Sequence, residues 1–328
     1  MVLVTRKTRA REPVRRGISF YSGVERDAHP LKERKDSVKH KIRCSMLVVT
    51  VWPMLWIVLT AGVPFAFAQN FESFDFPGAV NTQATAINSS GEIVGRYYEA
   101  DGIEHGFLFT HGLFASIDFP GANWTDVTWV NARGQIVGAY NTGNADHGFL
   151  LSAGQYTAIG YAGLANTYVT GISDNGAIVG DGSDNAGNFI GFLLTNGKFS
   201  PVAYPGTSIV FQEPTMLETG PILGDYCDKV CHGYLLVGTA FHSIDCPGTP
   251  GGIYLSAIDR RGRMTGQMIT SDGHQHGLLI SSGQCIAVDF PGSVATYVNG
   301  INPQGDIVGR YTDTAGDTHG FIAEHFAE

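Results

Sequence analysis

One spacing constrains this chain more than any other feature in it. The glycine of "FDFPGAVNT", Gly78, returns as Gly121, Gly163, Gly206, Gly248 and Gly292, at intervals of 43, 42, 43, 42 and 44 residues. Two further anchors keep the same step. "IVG" and its variants end at Gly95, Gly138, Gly180, Gly224, Gly266 and Gly309. "HGF" or a relative holds Gly106, Gly148, Gly191, Gly233, Gly277 and Gly320. Three independent anchors with six copies each mean one supersecondary unit, repeated, whose neighbours bury what it cannot bury alone.

Each copy holds four short pieces rich in Ile, Val, Phe and Tyr, which predict strands. In chain order they are a ("FASIDF", ended by Pro-Gly), b ("TQATAIN"), c ("EIVGRY") and d ("HGFLF"). Turn chemistry separates b from c ("NSSG", "NARG", "NPQG") and d from a ("THG", "SAG", "SSG"), so both connections read as hairpins. The c–d links are longer and polar. Strands c and d carry apolar residues on both faces, as in Ile93 beside Val94 and Phe107 beside Leu108. Such a sheet must be covered twice. The expectation is an all-β, six-bladed β-propeller with four-stranded blades. A sandwich would alternate polar and apolar residues instead. Strand b should be innermost, because Ala86, Gly171, Ala257 and Gly300 precede its last apolar residue and suit a crowded axis. Strand a should be outermost, where its terminal proline is tolerated. The chain ends on a strand d and the repeats begin with a strand a, so the first strand should close the last blade.

The ends of the chain differ in kind. Residues 1–45 hold 13 of the 21 basic and 5 of the 30 acidic side chains, a surplus of +8 that leaves −17 for the rest. Residues 46–68, "MLVVTVWPMLWIVLTAGVPFAFA", follow basic residues and end in Ala66-Phe67-Ala68, the pattern of a secretory signal with an A-x-A site. Residues 1–45 read as a basic leader, disordered or upstream of the true start. Residues 69–328 then form one exported domain, expected to be monomeric and without a stable membrane anchor after cleavage. Its charge disfavours nucleic acid as a partner.

The pattern "IDFPGA…IN..G.IVG.Y…HGFL" resembles the extracellular repeat of the HAF family. His105-Gly106-Phe107, His147-Gly148-Phe149 and His319-Gly320-Phe321 carry the likeness over essentially all of residues 69–328. The resemblance implies an exported bacterial protein and no particular reaction. The third copy departs with Ile190 in place of His, and the fourth is irregular from Phe211 to Gly224.

Candidate sites are few. His105, His147, His232, His276 and His319 share one repeated position, too far apart to share a metal. A hydrogen bond from each to its preceding Asp-rich link is the expectation. The Asp and Asn residues of the c–d links match no calcium loop. No metal, no cofactor and no catalytic residue is predicted. Cys227 and Cys231 flank one c–d link, where a local disulfide fits an exported chain. Cys246 and Cys285 replace phenylalanines, and their pairing stays open. Departures from the repeat mark candidate ligand contacts: Trp124, Trp129, Arg260 and Arg261. Arg263 lies in the same turn as the last two, and Asp126 and Asp259 are the nearest approach to a carboxylate pair. The sequence favours a non-catalytic protein that binds an extracellular ligand (a polysaccharide, a peptide or a protein) through loops at one propeller face. The alternative is a glycan hydrolase or lyase at the channel mouth.

Overall fold

The computed structural model describes residues 70–205, 215–216 and 220–327. The basic leader, the signal segment and half of the irregular stretch of the fourth repeat lie outside the described residues. Among the described residues no helix is long and apolar enough to cross a membrane.

The strand-like pieces all become strands. The first strand a is β1 (Phe71–Phe74). It is followed by β2 (Asn81–Ile87), β3 (Ile93–Tyr98), β4 (Glu104–Thr110) and β5 (Leu113–Ile117). Next come β6 (Trp124–Val130), β7 (Ile136–Asn141), β8 (Asp146–Ser152) and β9 (Gln155–Ile159), then β10 (Asn166–Ile172), β11 (Ile178–Ser183), β12 (Phe189–Thr195) and β13 (Lys198–Val202). The fourth group is β14 (Thr215–Met216), β15 (Ile222–Cys227), β16 (Cys231–Val237) and β17 (Ala240–Ile244). The fifth is β18 (Ile253–Ile258), β19 (Met264–Ile269), β20 (Gln275–Ser281) and β21 (Gln284–Val288). The last is β22 (Ala295–Ile301), β23 (Ile307–Thr312) and β24 (Thr318–Ala323).

The fold is propeller-like, with antiparallel four-stranded blades in the order b-c-d-a. Four blades are separate sheets: β6–β9, β10–β13, β14–β17 and β18–β21. The other eight strands form one larger sheet. In it β2–β5 and β22–β24 are joined by a single parallel pair, Asn81 with Thr318, and β1 lies antiparallel along β24 from Phe71/Ala323 to Phe74/Gly320. The b strands touch one another in series, β2 to β6, β10, β14, β18, β22 and back to β2.

The glycine anchors have two steric causes. A Cβ on Gly95 would stand 2.0 Å from the Gln83 carbonyl oxygen and 2.8 Å from the Phe107 ring, so the strand c glycine lets the strand d phenylalanine lie across it. A Cβ on Gly106 would stand 2.3 Å from a Val127 methyl in the next sheet, so the strand d glycine sets how closely sheets approach. Five of the six b strands, all but the two-residue β14, also carry a bulge. Thr85, Thr128 and Asn299 fall between register-shifted pairs and turn toward the neighbouring b strand. They donate to the carbonyls of Val127, Val169 and Ala84, each at 2.8 Å. A bulge re-aims a side chain that a regular strand would point elsewhere.

Aromatic rings join the sheets at the rim. The Phe of "DFPG" stacks on the Tyr of the strand c that follows it: Phe76 on Tyr97 at 3.7 Å, Phe119 on Tyr140 at 3.5 Å and Phe290 on Tyr311 at 3.7 Å between centroids. The same position meets the first aromatic of the next strand a in Phe76–Phe114, Phe119–Tyr156, Tyr161–Phe199, Tyr204–Phe241 and Phe290–Phe71. At the remaining junction both positions are cysteine, and Cys246 is bonded to Cys285. The pairing left open by the sequence is thus a covalent version of an aromatic contact. Cys227 and Cys231 form the expected local disulfide.

The repeated histidines correct one expectation. For four of the five the main partner is the aspartate of the "DFPG" position, thirteen residues on or, for His319, at the chain's first strand a, and not the preceding link; His147 has Gly160 at that position. His105 Nδ1 lies 2.8 Å from Asp118, His276 2.9 Å from Asp289 and His319 2.9 Å from Asp75, while His232 contacts Asp245. Link carboxylates are farther off, at 3.4 Å (Asp228), 3.7 Å (Asp272) and 3.7 Å (Asp313). The contact fastens strand a to strand d, which is why it recurs. Where His is Ile190, the aspartate position is Ala203.

Candidate functional site

The axis has two ends with different chemistry. The b–c turns surround the first. Trp129 and Arg260 both line a cleft there, with Asn88, Asn131 and Pro303, and its volume of about 20 Å3 is room for about one water. Trp129 is half-buried and packs against three groups of core residues, which include Ala257 and Ile301, Ala86 and Val130, and Ile172. One large ring among Ala86, Gly171, Ala257 and Gly300 fills the axis. Arg260 is half-exposed and reaches Asp174 at 3.2 Å. Arg261 is exposed. Arg263 is buried and holds the fully buried Asp259 carboxylate at 2.6 Å while donating to the carbonyls of Asn302, Pro303 and Ala327. Asp259 is therefore the anchor of an ion pair that ties the β18–β19 turn to the C-terminal segment.

The opposite end, where b strands begin, gathers side chains that differ from copy to copy. Arg96 Nε donates to Gln83 Oε1 at 3.2 Å and its Nη1 to Asp126 Oδ2 at 2.7 Å, with Glu104 at 3.6 Å. Arg310 Nη1 donates to the same Gln83 oxygen at 2.5 Å, and its guanidinium lies 4.0 Å over the Tyr297 ring. The Tyr297 hydroxyl donates to Gln275 Oε1 at 2.9 Å, and Gln275 Nε2 donates to Gln267 Oε1 at 2.7 Å. These contacts run without a break from β19 through β20, β22, β23, β2 and β3 to β6. Farther round, the Tyr168 hydroxyl donates to Asp146. Asp181 and Asp225 are buried, and Asp225 accepts from the Leu255 amide at 2.9 Å.

Burial and then the charge of Asp126 hold the Glu104 carboxyl above its usual range, with Arg96 pulling the other way. Burial and Glu104 push the Tyr98 phenol up to about 12. Burial and its bond to Asp146 raise the Tyr168 phenol. Glu104 Oε1 and Asp126 Oδ1 are buried with no hydrogen-bond donor among the described residues. Two close carboxyls, one with a raised pKa, form a pair that can hold and release a proton.

The structure divides the four candidate ligand contacts. Trp129 and Arg260 share one cleft, Arg261 stands outside it, and half-buried Trp124 opens β6 at the other end, two residues from Asp126. Sequence reading did not find Gln83, Arg96, Glu104, Tyr297 or Arg310. Their signal was present as variable columns within regular strands. After the strand c glycine stand Arg96, Ala139, Asp181, Asp225, Gln267 and Arg310. Three residues before the axis position stand Gln83, Asp126, Tyr168, Tyr254 and Tyr297.

No protein-family model matches the sequence, and no curated protein is similar to it. Solved structures share its shape. AofleA from Arthrobotrys oligospora superposes with a TM-score of 0.51 at 9% identity, covering 77% of this chain and 86% of its own. Virginiamycin B lyase from Staphylococcus aureus gives 0.47 at 12% identity, over 77% and 99%. The Aleuria aurantia lectin in complex with α-methyl-L-fucoside gives 0.47 at 11%, over 76% and 93%. The neighbours are β-propellers. At such identities the likeness is one of fold.

Proposed function

We propose that this chain is an exported six-bladed β-propeller that binds an extracellular partner at the axis end where b strands begin. The single observation behind this reading is the unbroken run of non-repeating polar side chains from Gln267 to Asp126. A scaffold needs none of them to vary, and a recognition surface does. The eight-stranded sheet reads as two blades bridged by one residue pair, and β1 as the closing strand of the last. The signal-like segment 46–68, the two disulfides, which suit an oxidising compartment, and the resemblance to the HAF repeat support export. The other axis end is a poorer candidate, because Trp129 and the Arg260–Asp174 contact fill it.

The test is a paired glycan and peptide array probed with the unmodified chain, Arg310→Ala and Trp129→Ala. Arg310→Ala should lose the bound class while keeping its fold by circular dichroism, and Trp129→Ala should keep it. Equal binding by Arg310→Ala and the unmodified chain would refute the reading.

The second reading is a glycan hydrolase or lyase, and it draws on one observation, the Glu104–Asp126 pair beside Arg96. A carboxyl whose pKa is raised, with a second carboxyl beside it, serves general acid–base chemistry. Glu104→Gln should then abolish turnover of a bound glycan and leave its binding intact.

A further inference from the structure

A groove of about 490 Å3 opens on the same face as the axis run, between the start of β20 and the link from β21 to β22. That volume lies within the size range of small-molecule sites, about 300–1,000 Å3. Its walls are prearranged. His276 is fixed by both Asp289 oxygens, at 2.9 and 3.0 Å. Gln275 in the lining is held by Tyr297 and Gln267, so the groove shares this residue with the axis run.

The lining combines two surfaces. Pro291 and Val294 form an apolar strip, and Val294 is 52% exposed. The same lining carries an imidazole (His274), an amide (Gln275), a carboxylate (Asp289) and a hydroxyl (Ser293, which also meets Thr296 Oγ1 at 2.9 Å). The His274-Gln275 pair is unique to this copy. The matching positions hold Ile103-Glu104, Ala145-Asp146, Asn188-Phe189, Val230-Cys231 and Asp317-Thr318. Among the described residues no Lys or Arg lines the groove and Asp289 does, which disfavours an anionic ligand. Backbone donors beside it are committed, Phe290 N to Thr296 Oγ1 and Val294 N to Thr312 O, which leaves a peptide backbone little to pair with.

A sugar ring has the complementary anatomy, an apolar C–H face and an edge of hydroxyls that both donate and accept. We propose that this groove is a subsite for one pyranose ring of a neutral glycan, whose further rings run inward along Gln275 and Tyr297. The inference rests on the proposed axis-end binding reading and names its ligand class.

The experiment is titration calorimetry on the full chain with cellohexaose, mannohexaose, chitohexaose and, as the anion, hexagalacturonate. At least one neutral hexasaccharide should bind, and hexagalacturonate should bind at least about tenfold more weakly, the equivalent of one good hydrogen-bonded contact. Val294→Asp places a charge against the C–H face and should weaken binding about tenfold or more, and His274→Ala about threefold or more, with Tm unchanged in both. Binding by both variants as tight as that of the unmodified chain would overturn the proposal. So would equal affinity for hexagalacturonate, or silence from every neutral hexasaccharide. Arg310→Ala separates the two ideas. Glycan binding lost there but retained in Val294→Asp sinks the groove and leaves the axis-end reading standing.

Discussion

Glu104 shows what one residue can add to a scaffold. Its neighbours in the repeat are Asp146, Phe189, Cys231, Gln275 and Thr318, so nothing about the fold demands a carboxylate there. Burial and Asp126 raise its pKa, which means the folded chain holds this proton more tightly than the unfolded chain does. That contribution is complete below the unfolded pKa and is lost as pH rises through the folded one. Glu104→Gln removes the titration. Its Tm relative to the unmodified chain should therefore climb as pH rises above the ordinary carboxylate range, and a flat difference across thermal melts would count against the pair. Glycines give a sharper residue-scale prediction. A Cβ on Gly138 would lie 1.9 Å from the Asp126 carbonyl oxygen, while Gly160 has open space and an ordinary φ. Gly138→Ala should cost about 4 kcal/mol in urea denaturation, and Gly160→Ala within about 0.5 kcal/mol. The glycine anchors were readable from the sequence as anchors. Their cause was not, because it lies in a ring and a neighbouring strand that only the fold brings near.

Strands and their junctions follow the same division. The four pieces, their order and the place of strand b as the inner strand all leave local traces in a 43-residue unit, while the bulge in that strand was not legible there. What joins one sheet to the next does not, since its partners lie about 40 residues apart. Superposing the copies would have revealed it: Cys246 and Cys285 change together at the two positions that elsewhere form an aromatic pair. This equivalence can be tested. Cys246→Ala with Cys285→Ala should cost about 3 kcal/mol, the usual contribution of a disulfide. Replacing both cysteines by Phe should recover about 1 kcal/mol of that through ring contact, provided the fit at this junction matches the others. No recovery in denaturant melts would show that the junction has diverged beyond the exchange. The histidine clasp is likewise an element-scale device. Burial lowers the pKa of His319, but the Asp75 contact and the charge of Asp313 outweigh it, so the folded pKa stands above the ordinary value. Its stabilising share is present below the unfolded pKa and fades as pH rises through the folded one. Amide exchange in β1 should therefore be slower at about pH 6 than at about pH 8 once corrected for intrinsic rates, and His319→Ala should erase the difference.

At the scale of the whole molecule, that clasp joins the first repeat to the last, and the join was visible in the sequence because "FESFDF" is a strand a with no repeat strand d before it. β1 pairs with β24 in the register that β5 takes with β4: Phe71 opposes Ala323 as Phe114 opposes Phe109. Phe71 also packs on Phe290, Phe321 and Phe326 at 5.4 to 5.6 Å, so the first strand belongs energetically to the last repeat. Sequence order is then incidental to this element. A permuted chain that begins at Asn81 and carries residues 70–80 after Glu328 on a flexible linker should fold to the same state. Loop closure grows only slowly with linker length, by about 0.6 kcal/mol per doubling, so its Tm should stay within about 4 °C of the parent. Deleting residues 70–80 outright exposes the β24 edge and removes the Phe71 contacts. That chain should lose about 3 kcal/mol or more, on the scale of one buried phenylalanine, and should aggregate through its free strand edge. Light scattering and melts on the two chains would decide it. A permutant as unstable as the deletion would mean that β1 must enter from its own side, and that closure by the first strand is not what holds the last repeat in place.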